Sequence, residues 1–167
     1  MRVMFDQAGK WQQIKNKMLH ELSQPDSKHI SNINNIVVGK MISRTKSGVD
    51  VAGMKFTPYK AAYAKKKGYS TRDLTLTGQM LSRGSFKYQT IFQDGRIMIR
   101  IWMDGPHSGG VSMGTLASVH NFGMRSGRGQ GFKMPKAEFF GIDEEITRAI
   151  KELSDEKWRE IKRALGL

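Results

Sequence analysis

The chain has 167 residues, 38 % hydrophobic and 26 % charged, which suits one globular domain over 1–167 with a core of its own. It contains no cysteine, which excludes disulfides, thiolate catalysis, iron–sulfur clusters and cysteine-based zinc sites. Its 28 Lys and Arg outnumber 15 Asp and Glu, and the net charge of +13 points to an anionic partner: nucleic acid, a membrane face or an acidic protein surface.

The first segment, about 7–23, reads as an amphipathic helix in which Trp11, Ile14, Met18, Leu19 and Leu22 recur at three and four. Pro25 ends it, because the residue before a proline is pushed out of the helical region. Asp26 or Ser27 then caps a second helix with Ile30, Ile33, Val37 and Met41 on one stripe and Ile36 beside it. The short turn between the two predicts an antiparallel helical hairpin over 1–44. No apolar run approaches the roughly 18 residues that cross a bilayer, and the N-terminus lacks the apolar centre of a secretory signal. No membrane partner and a cytosol-like place of synthesis are therefore expected.

Residues 44–57 read as a loop, and Thr57-Pro58 as the cap and first position of a short helix that stops at Gly68. This helix carries the densest positive charge: Lys65, Lys66 and Lys67, with Lys55 and Lys60 just before. Residues 1–88 carry a net +11 and residues 89–167 only +2. The lysines are either a solvated helix end that complements the helix dipole or an electrostatic docking face. After a polar connector with Leu74 and Leu76, Thr77 is placed to cap one more turn containing Met80 and Leu81.

Phe86, Tyr88, Thr90 and Phe92 alternate with Lys87, Gln89, Ile91 and Gln93, and Ile97, Ile99 and Ile101 with Met98, Arg100 and Trp102; around Asp94-Gly95 this predicts a β-hairpin over 85–103 with a two-residue turn. A lone hairpin is unstable in water, so further strands or covering helices are expected. Residues 104–136 hold 8 of the 18 glycines and read as long loops around a short helix at 113–120. Phe122, Met124, Arg125, Arg128, Phe132, Lys133 and Met134 combine charge with apolar anchors, and are the candidate contacts for a partner or for further copies of the chain. In the C-terminal region, 137–167, Asp143 caps a helix with the stripe Ile142, Ile146, Ile150 and Leu153, and Ser154-Asp155-Glu156 marks a kink or a second start. The fold class is therefore α+β: a small antiparallel sheet built on the hairpin, packed by N- and C-terminal helices.

No catalytic constellation stands out. His120, in Ser-Val-His-Asn-Phe-Gly, reads as an oriented structural histidine or helix cap rather than a general base. Gly-Arg-Gly-Gln-Gly at 127–131 lacks the Gly-Lys-Ser/Thr ending of a phosphate-binding loop. The acidic pairs are explained by helix starts, so a non-enzymatic protein without cofactor or metal is expected.

The order of several short motifs is more specific. Arg44 through Gly53 leads to Phe56, Pro58 and Tyr59. Asp73-Leu74-Thr75-Leu76-Thr77-Gly78-Gln79-Met80-Leu81 follows, then Asp94-Gly95, then Val119-His120-Asn121-Phe122-Gly123. Pro135-Lys136-Ala137-Glu138-Phe139-Phe140-Gly141-Ile142 precedes the last helix. Over about 44–150 this series resembles the virion morphogenesis, or tail completion, family of long-tailed bacteriophages. It departs from the family pattern where Phe56 replaces a tryptophan and where Ala137 or Glu138 replaces an arginine. The resemblance implies a structural component of the virion neck or tail end, assembled in the host cytoplasm. Such proteins form rings, often sixfold, around the DNA channel, and touch connector and tail-tube proteins and, non-specifically, DNA. In this chain Gly78 and Gly123 would supply positive φ or close backbone approach, and Phe139, Phe140 and Gly141 would anchor the final helix. The alternative reading of the charge is a basic nucleic-acid-binding protein.

Overall fold

A computed structural model describes Gly9 and residues 12–17, 26–74, 78–93, 96–126 and 132–166. Residues 12–17 are helical, as the first stripe predicts; its packing, the Pro25 turn, Thr75 to Thr77 and the Asp94-Gly95 turn lie outside the described residues. The architecture is mixed α+β, with helices α1 (Ser27–Lys46), α2 (Ala61–Lys67), α3 (Met113–Phe122) and α4 (Glu144–Leu165). Strands β1 (Phe86–Gln93) and β2 (Arg96–Met103) form the hairpin, and β3 (Arg125–Ser126) pairs with β4 (Phe132–Lys133).

The long helices form an antiparallel pair closed at both ends by their own caps. The Asp26 carboxylate accepts from the amides of Lys28 and His29 at the start of α1, and its other oxygen takes Lys157 of α4 at 2.8 Å. At the far end Asp143 accepts from the Ile146 amide at 2.8 Å and pairs with Arg44 of α1. Arg44 also donates to the carbonyls of Phe139 and Gly141 at 2.8 and 3.0 Å. Each N-cap aspartate is thus the ion-pair partner of the opposite helix, where negative charge is favoured by the helix dipole.

The core lies between this pair, the root of the hairpin and α3. Val37, Val38 and Met41 of α1 meet Phe56, Leu74, Met80 and Leu81 from the loops. Phe86, Met103, Met113, Ala117, Phe139 and Ile146 complete it. Methionine fills several of these positions, as suits a core assembled from irregular segments. Phe139 is fully buried, and Phe140 stacks on Phe86 at 6.2 Å between ring centroids. The aromatic pair before α4 therefore ties that helix to the sheet, as the sequence predicts.

The hairpin has the expected register, Phe86↔Met103 to Gln93↔Arg96, which leaves two residues for the turn. Among the described residues the sheet stays two-stranded. Its root is covered by α3, where Gly114 lets the helix approach; a Cβ there would lie 2.8 Å from the Met103 carbonyl oxygen. Further out, Tyr88, Ile97 and Met98 are exposed.

Several boundaries differ from expectation. Helix α1 runs on to Lys46, so the loop begins at Ser47. Thr57-Pro58 does not start a helix: the Tyr59 amide donates to Ser70 O at 2.9 Å, which keeps this stretch extended. The first turn instead closes on the Lys60 carbonyl, which accepts from Tyr63 and Ala64, and α2 ends at Gly68 as predicted. The 104–136 region is not only loops around a helix, since it contains the β3–β4 pair and α3 extends to Phe122. Helix α4 is continuous through Ser154, whose hydroxyl donates back to Ile150 O at 2.9 Å and so takes no capping role. Ile142 leaves the predicted stripe and is 57 % exposed, because it precedes the Asp143 cap.

Candidate functional site

The basic segment around α2 divides into two parts. Lys55, Lys60, Lys65 and Lys66 are exposed. Lys67 turns inward, where its ammonium pairs with Asp73 at 2.5 Å and lies over the rings of Tyr59 and Tyr69. Burial works to lower its pKa, but hydrogen bonds to Asp73, Tyr69 and Tyr59 outweigh that and hold it above the ordinary lysine value. Tyr59 stacks edge-on against Tyr63 at 4.8 Å, and its hydroxyl donates to Asp73 at 3.2 Å. Lys67 thus belongs to a structural cluster that fastens α2 to the following loop, and it leaves the predicted electrostatic face.

His120 belongs to a second internal cluster. Arg72, only 4 % exposed, donates through one guanidinium nitrogen to the Pro135 carbonyl at 2.7 Å. Its other terminal nitrogen lies 2.9 Å from His120 Nδ1. The carbonyl of His120 in turn accepts from the Ala137 amide at 2.9 Å. Burial, and then the Arg72 charge, lower the His120 pKa from 6.5 to about 4. The imidazole is therefore neutral at pH 7, with Nδ1 as acceptor and the proton on Nε2. The arrangement holds three chain segments together, in keeping with the structural reading of this histidine. Arg72 itself has no signal in the sequence, since it sits in a polar connector without periodicity.

The candidate contacts from the glycine-rich region fall around the end of α3. Gly123 closes the helix at φ +67°, and a Cβ there would lie 3.0 Å from both Met134 O and Lys136 N. This backbone approach aligns the start of β3 with the chain leaving β4. On either side of Gly123, Phe122 and Met124 are 66 % and 51 % exposed. Lys133 is exposed and Met134 half-buried. Arg125 and Phe132 occupy the short strands, and Arg128 lies outside the described residues. Of the remaining motif residues, Phe56 is buried, Pro58 exposed, Gly78 at φ +69° and Leu76 outside the described residues. A Cβ on Gly141 would meet Val51, so that glycine serves packing.

The exposed hairpin beyond its root is a surface that sequence patterning does not single out. Its signal is apolar residues on both faces of β2, with Met98 and Trp102 opposite Ile97, Ile99 and Ile101. A groove between α1 and the start of α4 is lined by Lys40, Arg44, Asp50, Asp143 and Glu145. Four of its charges pair off, Lys40 with Glu145 and Arg44 with Asp143, while the Asp50 carboxylate accepts from the Met54 amide and Glu144 lies at the helix start. Among the described residues no group of three or more His, Cys, Asp or Glu is placed to hold a metal ion. Among them, too, no helix is long and apolar enough to cross a membrane. Compared with family models, curated proteins and solved structures, the chain finds no match.

Proposed function

We propose that the chain is a structural subunit of the neck or tail end of a long-tailed bacteriophage, a tail completion, tail terminator or head–tail connector protein. In this reading copies assemble into a ring, sixfold by the resemblance, around the DNA channel and against connector and tail-tube proteins. The carrying observation is the Phe122–Met124 pair, two large apolar side chains more than half exposed on either side of a rigid backbone joint. A position held by Gly123 and the His120–Ala137 bond presents these side chains rather than letting them fold away. Covering them against a neighbouring copy would remove apolar surface from water. The order of the motifs along 44–150 supports the same reading.

Mass photometry of the purified chain, together with its location in a virion map, tests the proposal. A discrete oligomer that Phe122→Ser/Met124→Ser reduces to monomer is the expected result. Absence of the protein from mature particles would overturn it.

A further inference from the structure

One face of the β1–β2 hairpin carries a set of side chains that packing does not use. Register pairs Lys87 with Trp102, Gln89 with Arg100 and, further out, half-buried Ile91 with exposed Met98, and cross-strand partners share a face. Lys87, Gln89, Arg100 and Trp102 are all exposed. Neither strand contains an Asp or Glu, and the hydrogen bonds and ion pairs described above engage none of these four side chains. Asp104, just past β2, is the adjacent described carboxylate, and it turns back to accept from the Gly105 amide at 2.8 Å.

We propose that this face is a contact surface for duplex DNA, with the two-stranded ribbon seated in the major groove. Charge selects the occupant. Six carboxylates, Asp26, Asp73, Glu138, Asp143, Glu145 and Glu160, are paired with cations of the same chain. Lys87 and Arg100 have no carboxylate in either strand to balance them, and the chain as a whole carries a surplus of +13. A polyanion accepts the surplus. Shape agrees: strands of eight residues reach roughly 26 Å, and a groove of about 12 Å width admits a two-stranded ribbon. Lys87 and Arg100 then neutralise phosphates on the groove walls. Gln89, beside Arg100, can reach base edges, and Trp102 supplies an apolar contact. This surface is distinct from the Phe122–Met124 patch, and the inference stands whether or not copies form a ring.

The test is fluorescence anisotropy of a labelled 30-base-pair duplex and of its single strand over a salt series, with the mass of the protein measured in each buffer. The full chain should prefer the duplex. Lys87→Ala/Arg100→Ala should weaken duplex binding and flatten the log–log salt slope by about two, one per cation removed. Lys65→Ala/Lys66→Ala, with the same change in charge, should flatten it less. Arg100→Gln alone guards against a folding defect and should show about half the effect of the double variant. Tighter binding to the single strand, or a double variant with wild-type affinity and slope, overturns the inference. An unchanged slope in a chain that still forms rings removes only the DNA surface; slope loss in a chain that forms none removes only the ring reading.

Discussion

Arg72 and His120 meet through a guanidinium nitrogen 2.9 Å from imidazole Nδ1, and the same arginine holds the Pro135 carbonyl. Forty-eight residues of chain separate the pair, so the contact joins the connector after α2 to the end of α3 and to the stretch that enters α4. Because the arginine is buried and charged, its removal leaves a carbonyl and a ring nitrogen unpaired in the interior. Arg72→Ala should cost about 2–4 kcal/mol of stability, read as a lower urea midpoint with unchanged slope.

The same pair sets an acid limit. The unfolded chain takes up a proton at His120 near pH 6.5, the folded chain only near pH 4. Between these values the unfolded state binds more protons, so this contribution to stability is complete above pH 6.5 and declines as the pH falls toward 4. The loss should approach about 3 kcal/mol at the lower end. His120→Gln, which can accept from Arg72 but does not titrate, should lack this part of the pH dependence in urea titrations.

Two phenylalanines should behave oppositely. Phe139 is fully buried, and Phe139→Ala should destabilise by about 3–5 kcal/mol. Phe122 is two-thirds exposed, and Phe122→Ser should change monomer stability by less than about 0.5 kcal/mol while weakening self-association. Thermal melts and mass photometry on the same samples separate the two effects.

Asn34 lies on the buried face of α1 at 3 % exposure, and neither polar atom of its side-chain amide has a partner among the described residues. An unsatisfied buried amide costs about 1–3 kcal/mol, and leucine is also the better helix former. Asn34→Leu should therefore raise the unfolding midpoint. A lower midpoint would show that the amide is satisfied within the folded chain.

At Gly123, both the positive φ and the carbonyl and amide 3.0 Å from a hypothetical Cβ oppose any side chain. Gly123→Ala should cost more than about 1 kcal/mol and loosen the β3–β4 pair, visible as faster hydrogen exchange at Met134, whose amide donates to Met124 O.

The hairpin and the long helices are legible in the sequence because their signals are local: alternation around Asp-Gly, and aspartates before the helix starts at Ser27 and Glu144. The misread boundaries are places where a distant contact outweighs a local preference. Thr57-Pro58 has good helix-start chemistry, yet Ser70 takes the next backbone amide. Ser154-Asp155-Glu156 resembles a start, yet the Ser154 hydroxyl bonds back to Ile150 O within a continuous α4. The inward turn of Lys67 is set by Asp73 and two tyrosines, which no charge count reveals. Arg72 and the exposed hairpin face depend on which segments become neighbours, and on which ends of a strand the helices cover.

The reciprocal caps of α1 and α4 make residues 47–142 an excursion between two halves of one clasp. A chain nicked between β2 and α3, in the exposed turn at 108–110, should retain both pieces, because α1 packs on α4 and the core spans the break, with Asp26–Lys157 and Arg44–Asp143 fixing the two ends. The fold is in that sense already divided into two complementary fragments, and each could be produced separately and recombined.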